Sequence, residues 1–289
     1  MRFILLLLLI CSSPLLLPAQ TLRGRVLHAD SAAAPVPFAS VGVKGKAAGT
    51  VADAQGFFRF LDSPELAADD SVIVTGIGYR PARLLLGQLR QANARVRLQP
   101  LPQALPEVRV RHRQLRPQVL GRTGTSGVAH WGVNSIVKDS VRRREKLGSE
   151  FGTFLTSPHN CYVDDFNVYV QSNPFRQVRL RLLFYAVHDK RPAEQLLPVD
   201  IQLVLTEQQR GWIKVDLKPY NLQLHKGQQV IVALQWLDAV GETPGYQSFD
   251  VPAAFPTPLH RVYTRDKSQA NWRFYPARPS LYLNVQSWR

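Results

Sequence analysis

Seven histidines are the first residues in this 289-residue chain that could hold a metal, and their surroundings argue against it. A zinc hydrolase grips its metal through two His, or a His and a Glu, at helical or tight-turn spacing and keeps one position open. His28, His112, His130, His159, His188, His225 and His260 begin neither a His-x-x-Glu nor a His-Glu-x-x-His sequence. Gly-x-Ser-x-Gly is also missing, and Gly124-Thr125-Ser126-Gly127 has the composition of a flexible loop. His159-Asn160-Cys161 sets a thiol near an imidazole, but sequence neighbours seldom face each other productively, so Cys161 reads as a buried, unreactive thiol. No glycine-rich phosphate loop occurs. For a hydrolase only the carboxylates Asp164, Asp165 and Asp216 remain. The sequence therefore predicts no enzyme, no cofactor and no metal.

Binding chemistry is better represented. Of the five tryptophans, Trp236 shares strand parity with Val230, Val232 and Leu234, and Trp272 shares it with Phe274, which predicts both in a core. Trp131 and Trp288 lie outside clear strand patterns and are the candidates for an exposed sugar-stacking surface. A formal charge of +15 adds a second theme. It is concentrated at Arg109, Arg111, His112, Arg113 and Arg116, and again at Arg142, Arg143 and Arg144. Such clusters read first as a solvated basic linker; as a binding feature of an exported chain they point to anionic lipid, lipopolysaccharide or an acidic protein face rather than to nucleic acid.

Export is itself predicted by residues 1–19, a Met-Arg start followed by two apolar runs that Cys11-Ser12-Ser13-Pro14 interrupts. That reads as a signal peptide, because neither run reaches the roughly 18 to 20 residues of a spanning helix. Cleavage before Gln20 leaves a single cysteine, Cys161, and hence no intramolecular disulfide.

The elements that must position these residues are strands. Segments 22–27, 38–43, 49–51, 57–61, 71–75, 83–86 and 95–98 alternate and are divided by Gly, Pro and Asp turns, which predicts a seven-stranded sandwich over 20–99. Asp53-Ala54-Gln55-Gly56 lies between two of them, where Asp53 can accept a backbone hydrogen bond and Gly56 can take positive φ. A calcium loop would need further acidic oxygens there. Pro100, Pro102, Pro106 and Pro117, followed by Gly121, Gly124 and Gly127, predict an extended connector over 100–147. A second, jelly-roll-like sandwich is expected over 148–289, with strands at 178–185, 200–205, 212–217, 230–237, 261–263, 271–275 and 281–285. The proline-rich and glycine-rich stretch between the two predicts that they fold separately.

The run from Gly24-Arg25-Val26 through Pro37-Phe38-Ala39-Ser40-Val41, Gly49-Thr50-Val51-Ala52-Asp53-Ala54-Gln55-Gly56-Phe57-Phe58-Arg59-Phe60 and Gly78-Tyr79-Arg80-Pro81 resembles the carboxypeptidase regulatory-like domain. That family is a small transthyretin-like β-sandwich that stands beside catalytic domains and at the N-termini of outer-membrane receptors. The resemblance implies a scaffold of the bacterial envelope and transfers no peptidase activity. Gly211 to Leu217 with Tyr220-Asn221-Leu222 and Val230 to Trp236 is similar to the uncharacterised C-terminal half of such exported proteins. The expected function is a non-enzymatic binding or assembly module of the periplasm or outer membrane, with an envelope protein or a glycan as partner. The alternatives are a carbohydrate-binding module with its sugar site on the second sandwich and, more weakly supported, a hydrolase with an unrecognised site.

Overall fold

A computed structural model of the chain describes residues 21–31, 34–91, 94–101, 114–137, 146–206, 209–241 and 245–288. Residues 1–19, expected to be a signal peptide, the basic residues from Arg109 to Arg113 and the triplet Arg142, Arg143 and Arg144 lie outside the described residues. Those described form an all-β protein of several packed sheets with almost no helix. No helix among them is long and apolar enough to cross a membrane.

The first unit contains β1 (Thr21–His28), β2 (Ser40–Val43), β3 (Gly49–Val51), β4 (Phe57–Leu61), β5 (Ser71–Thr75), β6 (Ala82–Leu85) and β7 (Ala94–Leu98), with the short helix α1 (Leu86–Leu89). A sheet ordered β4-β1-β7 faces one ordered β3-β2-β5-β6. Between them pack Val26, Val41, Phe58, Val72, Val74 and Leu98, the inward residues that strand alternation supplies. All seven expected strands are present, the largest offset being 38–43 against Ser40–Val43.

The second unit runs through β8 (Arg116–Gly121), β9 (Ala129–Val137), β10 (Glu150–Thr156), β11 (Asn160–Val170), β12 (Gln177–His188), β13 (Arg191–Gln195), β14 (Ile201–Thr206) and β15 (Gly211–Asp216). It continues with β16 (Gln223–Leu224), β17 (Gln229–Val240), β18 (Gly245–Ala254), β19 (Val262–Arg265), β20 (Arg273–Tyr275), β21 (Arg278–Pro279) and β22 (Leu281–Trp288). A seven-stranded sheet ordered β13-β12-β17-β10-β19-β20, with β14 added on β12, packs over a five-stranded sheet ordered β15-β11-β22-β8, with β16 added on β11. The core between them holds Leu180, Phe184, Val232 and Trp236 from one side and Phe166, Val168, Leu283 and Val285 from the other. A third sheet, β21-β18-β9, flanks this sandwich.

The connector expected over 100–147 is corrected in its second half. Residues 116–121 form β8, in register against β22 from Tyr282↔Gly121 to Ser287↔Arg116, and residues 129–137 form β9 along β18. Pro117 misled because proline disrupts a ladder, yet β8 is an edge strand, where a missing N–H costs nothing on the unpaired side. Arg122 donates to the main-chain oxygen of Gly124 at 2.7 Å and also to Ser126 and Ser280, so the Gly124 to Gly127 loop is tied to the sandwich.

Candidate functional site

The seven-stranded sheet is apolar on both faces because both are covered. Val230, Val232, Leu234 and Trp236 of β17 face the five-stranded sheet, while Ile231 and Ala233 join Leu183, Tyr185 and Tyr263 on the opposite side, where Ile77 of the first unit packs. The two sandwiches therefore meet. Gly42 of β2 lies so close to the second unit that a β-carbon there would approach Gln269 Cγ to 2.8 Å.

Polar groups buried at this junction form one connected network, with only Arg179 Nε and Arg265 Nε left without a partner among them. Arg181 of β12 is 3% exposed; it donates to Asp200 at 2.6 Å and 3.0 Å, to Gln235 Oε1 at 3.0 Å and to the Phe38 main-chain oxygen at 3.0 Å. Gln235 Nε2 donates to Ser40 Oγ at 3.2 Å and to Glu150 Oε1 at 2.9 Å. The Glu150 side chain is 0% exposed and also receives Arg265 and the Tyr185 hydroxyl, each at 2.8 Å. Burial pushes the Tyr185 phenol well above its ordinary value. At Arg265 burial works against the charge, but Glu150 and Tyr185 outweigh it and the pKa stands raised.

Beside this network a cavity of about 660 Å³ opens between the units. Arg23 and Arg59 on the outer face of the β4-β1-β7 sheet line one side, and Trp131 of β9, Phe151 of β10 and Arg265 line the other. Trp131 is partly buried against the core and tilted 52° to Tyr275 at 6.0 Å. It belongs to the junction, not to the same surface as Trp288.

Trp288 lies on the outer face of the five-stranded sheet. Its ring is 4.5 Å from Tyr162 of β11. Further along the same strands Trp212 of β15 meets Tyr169 edge-on at 5.4 Å and Tyr282 at 4.9 Å. Tyr162, Tyr169, Trp212, Tyr282 and Trp288 are all half-buried. The strip between the two clusters is polar. Asp165 accepts from Asn284 at 2.7 Å and from Asn167, and it pairs with Lys214 at 3.0 Å; Asp164 accepts from Gln286 at 2.7 Å. From Tyr282 to Trp288 the strand advances about 20 Å at roughly 3.4 Å per residue.

A register shift between Val163 and Asp165 makes this face possible. It lets Cys161 and Val163 before it, and Phe166, Val168 and Val170 after it, all point into the core. The same irregularity hid β11 from pattern reading, since Asp164-Asp165 interrupts the alternation.

Other sequence expectations resolve plainly. Asp53 Oδ1 accepts from Gln55 N at 3.0 Å and Phe57 N at 2.8 Å, and Gly56 has φ +78°, so this is the tight turn leading into β4. Trp236 is 3% exposed in the core. Trp272 is corrected: it is only partly buried, 4.4 Å from the Arg265 guanidinium, and Phe274 is 56% exposed, because β20 is an edge strand with one uncovered face. The Cys161 Sγ lies 3.3 Å from Ser157 Oγ, and burial pushes the thiol up, away from the reactive thiolate. Asp165 and Asp216 are cross-strand neighbours, but Asp165 is held by Asn167, Asn284 and Lys214 on a sheet face rather than in a cleft. Among the described residues no cluster of His, Cys, Asp or Glu could hold a metal.

The junction was missed in the sequence because its residues come from distant segments; its one signal was Gln235, the polar exception in an apolar strand. No protein-family model and no curated protein matches the chain.

Proposed function

We propose that this chain is a non-enzymatic binding module of the bacterial cell envelope and that the outer face of β15, β11 and β22 is its glycan-binding surface. The observation that carries the reading is the pair of aromatic clusters, Trp212 with Tyr169 and Tyr282 at one end and Trp288 with Tyr162 at the other, separated by a strip of amides and carboxylates. Sugars present apolar C–H faces and hydroxyl edges. Aromatic rings suit the former, and amide or carboxylate groups such as Asn284, Gln286 and Asp164 suit the latter. An arrangement of this kind, spread along a sheet face, favours holding a chain over cleaving one. The resemblance of the first unit to regulatory-like domains supports the envelope setting.

The test is sedimentation with insoluble polysaccharides and purified sacculi. Wild-type protein is expected in the pellet of at least one glycan, with the Trp212→Ala variant left in the supernatant. Absence from every glycan pellet would reject the reading.

A further inference from the structure

The junction cavity has a charge imbalance that no described residue neutralises. Two carboxylates line it and both are already paired: Glu150 with Arg265 at 2.8 Å, and Asp266 with Arg273 at 2.7 Å. Three lining cations have no acidic partner among the described residues: Arg23, Arg59 and Lys146. Arg23 and Arg59 are moreover direct cross-strand partners on β1 and β4, an arrangement in which like charges repel. An anion between them would turn that repulsion into two charge-assisted hydrogen-bonded contacts.

The opposite wall has different chemistry. Trp131 and Phe151 present aromatic surface, and the volume of about 660 Å³ lies within the range of small-molecule sites. We propose that the cavity binds an anionic amphiphile, a molecule with a carboxylate or phosphate head held by Arg23 and Arg59 and an apolar portion lying against Trp131. This inference is independent of the glycan surface, which lies on another sheet.

Decanoate, decanol and inorganic phosphate separate the two halves of the proposal. Each is titrated into the full chain by calorimetry, with tryptophan fluorescence followed in parallel because Trp131 lines the cavity. Decanoate is expected to bind at least tenfold more tightly than either decanol or phosphate, and to bind more weakly as salt is raised. The Arg23→Ala/Arg59→Ala variant should lose at least tenfold for decanoate and leave decanol unchanged. Neither arginine has a side-chain hydrogen-bonding or ionic partner among the described residues to orphan, so the variant should melt like the wild type. The Ala47→Trp variant, which places a large ring in the cavity lining, should block decanoate; the Arg97→Ala variant, outside the cavity, should not. Equal binding of decanoate and decanol, equal binding of phosphate and decanoate, no binding of decanoate, or full binding by the double arginine variant would each overturn the proposal.

Discussion

The guanidinium of Arg181 in the second sandwich donates a hydrogen bond to the main-chain oxygen of Phe38 in the first, at 3.0 Å. That bond crosses the junction directly, and Gln235 Nε2 to Ser40 Oγ crosses it again at 3.2 Å. Buried polar groups tolerate separation poorly, because each would lose its partner without regaining full hydration. Against the expectation of two independently folding sandwiches, these contacts predict that the two melt as one cooperative unit. Calorimetry should show a single transition for the wild type. The Arg181→Ala variant should lower stability by about 2 to 3 kcal/mol, toward the low end for a buried pair because the Asp200 side chain is 31% exposed. Two resolved transitions in the wild type would contradict this.

Glu150 is the deeper member of the same network, and its replacement leaves the Arg265 charge facing no carboxylate. The Glu150→Gln variant is expected to lose about 3 to 5 kcal/mol in a denaturant titration. A midpoint within experimental error of the wild type would place the charge elsewhere.

Tyr185 gives the network a pH dependence. Its phenol ionises well above the ordinary value of 10.0 in the folded chain, chiefly through burial, while the unfolded chain ionises near that value. The stability it contributes is complete below about pH 10 and falls as pH rises toward the folded value, by up to about 1.4 kcal/mol per pH unit. A Tyr185→Phe variant should lose part of the alkaline slope between pH 10 and 12 while being less stable at neutral pH. An unchanged slope would show that the phenol reaches solvent.

At the turn before β4, a β-carbon on Gly56 would approach the Val26 main-chain oxygen to 2.5 Å at a φ of +78°. Gly56→Val should cost about 1 to 3 kcal/mol. Asp53→Ala removes a side chain bonded to two main-chain N–H groups and should cost about 1 kcal/mol. Chemical denaturation of both variants checks the order as well as the size.

What the sequence made legible follows from locality. The first unit's strands are short, cleanly alternating and separated by turns with specific residues, so all seven could be placed from the sequence. In the second unit the same reading found β12, β14, β15 and β17, but it passed over β11, whose register shift breaks the period of two. Arg179 and Arg181 lie at alternate positions of the expected 178–185 strand. They are covered by the first unit, Arg179 lying 4.9 Å from the Phe38 ring, and contact between separate units leaves no periodic trace in either. Trp288 was expected at the surface and outside any strand; it is the half-buried last residue of β22, on the outer face of its sheet. Its partner Tyr162, and the Trp212 cluster, became visible only once the strands were laid side by side.

The proposed glycan surface has a length as well as a composition, and calorimetry with soluble oligosaccharides of increasing size tests both. Affinity should rise with each added sugar until the ligand spans the roughly 20 Å between the Tyr282 and Trp288 ends, and then level off. The Trp288→Ala variant should abolish the gain from the longer ligands while retaining the binding of the shortest. Affinity that does not change with length, or that Trp212→Ala and Trp288→Ala both leave intact, would contradict a glycan chain lying along this face.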